Sequence, residues 1–185
     1  TMMQYFEWYL PSDFGLWKKI LEESKNISDI GITSVWLPPA YKASDGINGV
    51  GYAVYDLYDL GEFDQKGAIR TKYGTKEEYL NAIKSLQENG VKVFADIVLN
   101  HRLGADGTEE VYAIEDLPSD RNVDISKPFP IQAWTKYEFP GRRGKYSDFK
   151  WNWTHFHGVD WDEFQKRSSI YKFYGKHWDK DVDKE

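Results

Sequence analysis

Apolar and polar positions alternate in two kinds of block over the first hundred residues. Residues 2–8 form a short apolar run, broken at Pro11, Ser12 and Asp13, and predict a first strand. Leu16, Ile20, Leu21, Ile27 and Ile30 follow at the spacing of one helix face, and Gly31 supplies a stop. Ser34-Val35-Trp36-Leu37 reads as a second buried strand, closed by Pro38-Pro39. A long polar connection then runs from about residue 40 to 74. Compact domains rarely keep such a segment unless it works. Thr75 with Glu78 spells a capping box before a helix that turns Ala82, Ile83 and Leu86 inward and closes at Asn89-Gly90. Residues 91–99 are a nearly unbroken apolar run, a third strand. Buried strands alternating with amphipathic helices predict an α/β fold with a parallel sheet. A doubly wound sheet and a TIM barrel both satisfy that order.

The texture changes after His101. Residues 102–185 show no clean amphipathic helix and mix Gly, Pro and aromatic residues. In Phe149-Lys150-Trp151-Asn152-Trp153-Thr154-His155 large rings recur with period two, and residues 131–139 and 170–174 are weaker strand candidates. This half is expected to be an irregular, mostly antiparallel β unit. No internal repeat is visible. Residues 178–185 are nearly all charged and carry no stop signal, the texture of a loop cut open. The chain also opens inside its first strand, which leaves room for a removed upstream segment.

Composition narrows the partners. Aromatic residues make up 17% of the 185, a load that suits a flat, amphipathic ligand such as a sugar as well as a core. The net charge of -6 repels phosphate backbones, so nucleic acid is not expected as a partner. No apolar run approaches the roughly 20 residues of a membrane span. The absence of cysteine rules out a disulfide framework and fits a cytoplasmic bacterial protein and a secreted one alike.

Chemistry concentrates in a few places. Asp96-Ile97-Val98-Leu99-Asn100-His101 lies at the carboxyl end of the third predicted strand, where sites of barrels and open sheets collect. In a strand, Asp96 and Asn100 share a face. On residues alone the plainer account is preferred: a buried Asp tied to a backbone group or an Arg, with His101 an ordinary loop residue. The segment Gly49-Val50-Gly51-Tyr52-Ala53-Val54-Tyr55-Asp56-Leu57-Tyr58-Asp59-Leu60 admits two readings equally. One is an aromatic platform at a pocket rim; the other is a packed loop whose tyrosine hydroxyls satisfy backbone groups. Phe149, Trp151 and Trp153 are expected to form the core of the second half. Asp160-Trp161-Asp162-Glu163 and Asp179, Asp181 and Asp183 offer oxygen ligands for a hard cation such as calcium, though a charge run is more often a solvated face. No zinc-type cluster, Walker loop or nucleophile elbow occurs.

Several blocks together resemble the α-amylase family of glycoside hydrolases, in particular the bacterial liquefying type. They are Met3-Gln4-Tyr5-Phe6-Glu7-Trp8, Val35-Trp36-Leu37-Pro38-Pro39-Ala40-Tyr41-Lys42, Tyr55-Asp56-Leu57-Tyr58-Asp59-Leu60-Gly61-Glu62-Phe63, Arg70-Thr71-Lys72-Tyr73-Gly74-Thr75-Lys76 and Tyr146-Ser147-Asp148-Phe149-Lys150-Trp151, with Asp96 to His101 resembling the first signature region. The resemblance runs along the whole chain. It implies a partial TIM (β/α)8 barrel, with residues 1–101 as its first three β/α units and residues 102–185 as an inserted, incomplete β domain after strand 3.

It further implies endo-hydrolysis of α-1,4 bonds in starch- or glycogen-like glucans. By resemblance, Tyr52 stacks on the sugar at the cleavage subsite and His101 bonds its hydroxyls. Gln4 and Trp8 lie near the cleft, Asp96 supports its floor, Asn100 is a ligand of a structural calcium, and Asp179 is similar to a ligand of further metal ions. One departure stands against those further ions: His157 occupies a position where the family carries an Asp before Gly-x-Asp-Trp, and a neutral imidazole is a poor calcium ligand.

A retaining mechanism needs two carboxyl groups about 5–5.5 Å apart. The family carries them after the fourth and fifth strands, with a further Asp after the seventh. The fourth-strand signature, an Arg followed two residues later by an Asp nucleophile, is not found in this chain. The catalytic carboxylates are therefore expected in the remaining, C-terminal part of the same enzyme. Two other readings stay open: a relative that transfers glucan chains or attacks α-1,6 bonds, and a non-catalytic glucan-binding scaffold.

Overall fold

Helix formation begins where the sequence places it. In the computed structural model, which describes residues 1–179, the first unit comprises Thr1–Gly104 and Phe139–Asp148. Its elements are β1 (Met2–Gln4), α1 (Leu16–Asp29), β2 (Ser34–Leu37), β3 (Lys42–Ala43), β4 (Val54–Asp56), α2 (Lys76–Glu88) and β5 (Lys92–Ala95). The strands β1, β2 and β5 form a parallel sheet in that order, with Met3, Val35 and Val93 in register. The order follows the chain, which suits one wing of a wound sheet and the start of a barrel equally.

Leu16, Trp17, Ile20 and Ile27 bury one face of α1, and Tyr79, Ala82 and Leu86 bury one face of α2. Both faces join Val35 and Leu37 of the sheet in one core. Side chains such as Ile20, Leu37 and Leu86, all fully buried, contribute about 1.5–3 kcal/mol each. Leu21 and Ile30, expected on the α1 face, are exposed instead, and Trp17 takes the space. Packing against Tyr73 and Tyr79 selected the wide indole. The capping box of α2 forms as expected: Glu78 N–H donates to Thr75 Oγ1, and Thr75 N–H donates to Glu78 Oε2.

The first and third strands are shorter than the apolar runs that predict them. After Gln4 the Tyr5 N–H still donates to the Trp36 carbonyl, but the ladder ends there. Residues 96–100 leave the strand conformation. Their polar groups turn to side chains, with Val98 N–H donating to the Tyr41 hydroxyl at 2.9 Å, and this replaces ladder bonds. Phe94, Ile97 and Leu99, read as buried, are 50%, 60% and 78% exposed at this edge of the sheet.

The connection between β2 and α2 is polar in sequence but buries many of its charges. β3 and β4 pair antiparallel within it. Lys42 is fully buried and its Nζ donates to the carbonyls of Phe63, Ala68 and Ile69 at 3.0, 2.5 and 2.7 Å, with Asp59 at 3.4 Å. Burial lowers the Lys42 pKa from the usual lysine value, against the pull of Asp59. Asp59 Oδ1 accepts the N–H groups of Gly61, Glu62 and Phe63. Gln65 Nε2 bridges Asp56 and Asp59, and Arg142 Nε donates to Asp56 Oδ2 at 2.6 Å. Arg142 thereby anchors the segment Phe139–Asp148 in this unit, while Lys145 and Tyr146 bond Glu62.

The second unit comprises Ala105–Glu138 and residues 149–179. It is an antiparallel sheet of β6 (Gly107–Leu117), β7 (Asp120–Asp124), β8 (Phe129–Lys136), β9 (Gly158–Asp162) and β10 (Arg167–Phe173). β6 is the common strand, pairing with β7, β8 and β10. Alternate residues Val111 and Ala113, Ile131 and Ala133, and Tyr171 and Phe173 make its core. The antiparallel character was legible, and β8 and β10 fall on the two strand candidates. β6 was not, because Glu109, Glu110, Glu115 and Asp116 interrupt its apolar positions.

The aromatic run 149–155 corrects the expectation most. It is not a strand and does not form the core. Trp151 makes an isolated bridge with Tyr137, and Trp153–His155 is a turn of 3₁₀ helix capped by Asn152. Phe149 is exposed, and of the three rings only Trp153 packs on the core. The cap competes for the backbone groups that a ladder would use.

Candidate active-site cleft

The parallel strands deliver their side chains to one place: Trp8 follows β1, and Asp96 to His101 follow β5. Tyr52 arrives from the long connection. Gly51 lets it do so: at φ +103° it lies so close to Pro39 that an added Cβ would be 2.6 Å from the proline ring carbon. Only glycine tolerates both the conformation and the approach.

Asp96 organises the cluster. Its Oδ2 accepts the Tyr52 hydroxyl at 2.9 Å and the Trp36 indole N–H at 3.2 Å. These side-chain donors replace the backbone group or arginine expected for a buried Asp. The Trp8 ring lies parallel to Tyr52, with centroids 5.8 Å apart and planes 5° apart. His101 Nε2 is 2.8 Å from the Tyr52 carbonyl oxygen, which accepts from it. Arg102 donates to the Tyr55 carbonyl and Leu103 N–H to the Val54 carbonyl, so residues 101–103 run along residues 52–55. Burial, helped by the bond to Asp96, raises the Tyr52 pKa above the ordinary phenol value. The hydroxyl therefore stays protonated and remains a donor.

The structure thus brings Trp8, Tyr52, Asp96 and His101 together. Gln4 stands beside Trp36 in the β1–β2 register, but its side chain bonds back to the Phe6 carbonyl. Asn100 is exposed. Asp179 belongs to the second unit and is exposed, and Asp181 and Asp183 lie outside the described residues. Of the Tyr52 segment, Tyr55 is buried against Phe139 and Tyr58 is half exposed. Trp36 and Tyr41, which hold Asp96 and Val98, went unmarked, although both stand in the Val35 to Lys42 block.

The arrangement can hold a flat ring with polar edges, as aromatic faces and an imidazole do. It does not fit calcium by itself. Asn100 brings one neutral oxygen where calcium takes about six to eight. Among the described residues no group of three or more His, Asp or Glu side chains is placed to hold a metal ion. Asp162 is buried and accepts the N–H groups of Gln132 and Phe164, and Glu163 is bonded by Trp134, Trp161 and Lys166. His157 faces the Trp178 ring.

Comparison with known proteins finds relatives that match the chain along its whole length. The family described as alpha amylase, catalytic domain, matches residues 4–183. Over its whole length the chain is 62% identical to an alpha-amylase of Geobacillus stearothermophilus and 56% identical to one of Bacillus licheniformis. It spans 34% and 36% of those proteins, about a third of their length. Among solved structures, a truncated alternansucrase from Leuconostoc mesenteroides superposes with a TM-score of 0.64 at 27% identity, over 78% of this chain and 14% of that one. With its sequence matched from end to end, the chain belongs to the alpha-amylase family, close to the liquefying alpha-amylases of Bacillus.

Proposed function

We propose that this chain is the front part of an enzyme that hydrolyses internal α-1,4 bonds of starch-like glucans with retention of configuration. The observation that carries the reading is the Trp8–Tyr52–Asp96 assembly, which joins segments that follow two parallel strands to the long connection. In this reading residues 1–101 begin a TIM barrel and residues 102–185 are a domain inserted after its third strand. The exposed Phe94, Ile97 and Leu99 support it, since a bare apolar edge needs a further strand or layer to cover it.

Tyr52 stacks on the sugar at the cleavage subsite, held in place through its hydroxyl by Asp96. His101 donates Nε2–H to the Tyr52 carbonyl, which leaves Nδ1 to accept a sugar hydroxyl. Trp8 and Gln4 line the approach. The nucleophile and the general acid come from the rest of the enzyme. Calcium belongs to the same proposal: Asn100 supplies one oxygen, Asp179 serves any further ion, and the other ligands come from outside the described residues. No helix among the described residues is long and apolar enough to cross a membrane.

Tyr52→Ala in the complete enzyme is expected to lower kcat/KM on soluble starch by about tenfold or more. Unchanged cleavage would remove Tyr52 from the cleft. A chelator is expected to lower the melting temperature of the complete enzyme, and an unchanged melting curve would end the calcium assignment.

A further inference from the structure

The chain contains the same tripeptide twice, Asn48-Gly49-Val50 and Asn89-Gly90-Val91. Asn-Gly is the dipeptide most open to deamidation, because glycine leaves the attack on the carboxamide unhindered. The same two residues follow each asparagine, so the comparison turns on what surrounds them in the fold. Those surroundings differ strongly.

Asn89 caps α2. Its Nδ2 donates to the Ser85 carbonyl at 2.9 Å and approaches Ser24 Oγ at 3.4 Å, and the Gly90 N–H donates to the Gln87 carbonyl at 3.0 Å. Both reacting groups are occupied. Asn48 ends a single 3₁₀ turn, Gly46–Asn48. Its side chain is exposed, and its carboxamide bonds no other described residue. The Gly49 N–H makes one long bond, 3.3 Å, to the Gly46 carbonyl. Glycine is required there: a Cβ on Gly49 would lie 2.4 Å from the Ala43 Cβ. The fold therefore fixes an Asn-Gly bond whose asparagine is exposed while its glycine is buried, and leaves the carboxamide free.

We propose that Asn48 is a site of spontaneous deamidation and isoaspartate formation, and that this change disables the cleft; the second half of the proposal rests on the role given to Tyr52. The Gly49 nitrogen loses its proton and attacks Asn48 Cγ. A C–N bond forms, the bond to Nδ2 breaks, and ammonia leaves with the proton. Water then opens the five-membered imide at either carbonyl. One product is aspartate. The other carries the main chain through Cγ, one carbon longer, just before Val50, whose carbonyl accepts the Tyr73 hydroxyl at 3.1 Å, and Gly51, which is wedged on Pro39. Tyr52 follows directly and cannot keep its place on Asp96.

The test incubates the intact enzyme in warm, mildly alkaline buffer. Peptide mass spectrometry with an isoaspartate-specific methyl-transfer assay follows both sites, and starch cleavage is measured in parallel. Conversion at Asn48 is expected to be about tenfold faster than at Asn89, where one or two further hydrogen bonds must break first. Activity is expected to fall in step with it and to persist in Asn48→Ser under the same incubation. Equal or slower conversion at Asn48 overturns the modification site. An equal loss of activity in Asn48→Ser overturns its link to the cleft. An enzyme with no starch activity before incubation refutes the proposed function, and the ratio of the two peptides still decides the modification.

Discussion

Two charged regions of this protein handle their ions in opposite ways. In the first unit, Asp56, Asp59, Lys42 and Arg142 lie inside the long connection, sealed from water and bonded to one another, to Gln65 and to backbone carbonyls. In the second unit, Glu115 of β6 and Arg167 of β10, partly exposed at 17% and 45%, pair through two bonds of 2.8 and 2.7 Å. That pair stands partly in water, so either member can be replaced singly, whereas Asp116 and Asp162 of the same sheet are buried. The connection manages its charges by mutual pairing, so removing one leaves another buried without its counter-charge. The lesson is that a polar segment in sequence can be a core in space.

The comparison can be broken most directly at Arg142, whose side chain and that of Asp56 are each 1% exposed. Arg142→Ala is expected to cost about 3–5 kcal/mol in chemical denaturation of the complete protein, because the buried Asp56 keeps its bonds from Gln65 and the Tyr58 N–H but loses the guanidinium that pairs with it. A loss below about 1 kcal/mol would show that the connection is not a core. Next in size is the buried acid of the sheet unit. Asp162→Ala orphans the N–H groups of Gln132 and Phe164 and is expected to cost about 1–3 kcal/mol by the same measurement. Arg167→Ala removes an ion pair whose arginine side chain is 45% exposed, and is expected to cost no more than about 1 kcal/mol.

Glu62 sharpens the comparison through pH. Its bonds to Lys145, and then to Lys76, pull its pKa from 4.5 to about 2. The folded state thus holds the carboxylate more readily than the unfolded chain does. The stability it contributes is complete above pH 4.5 and disappears as pH falls toward about 2. Because the group is partly exposed, the effect is small, below about 1 kcal/mol. Glu62→Gln is expected to melt slightly below the parent at neutral pH and together with it near pH 2. A constant gap across that window would refute the pairing.

Much of the candidate site could be read before any coordinates. Asp96 to His101 stood out as polar residues closing an apolar run, and Tyr52 stood just after two glycines in a connection too long to be idle. What could not be read was who holds whom. Trp36 shares Asp96 with Tyr52 across sixty and forty-four positions of chain, and no local pattern carries that. Arg142 is eighty-six residues from Asp56 and looks like one more surface charge. The period-two rings at Phe149, Trp151 and Trp153 misled because Asn152 caps a 3₁₀ turn, a local bond that outweighs side-chain alternation.

The sequence by itself determined the helices α1 and α2, the capping box at Thr75, the parallel order of the first strands and the family. These depend on neighbours within a few turns of chain, or on blocks of residues matched whole. Only the tertiary structure decided that the polar connection would be buried, that Asp96 would bind an indole and a phenol, and that one Asn-Gly would be tied down and the other left open. Those outcomes depend on which distant groups meet. Burial sets the worth of a charge or a carboxamide, and burial is a property of the assembled chain.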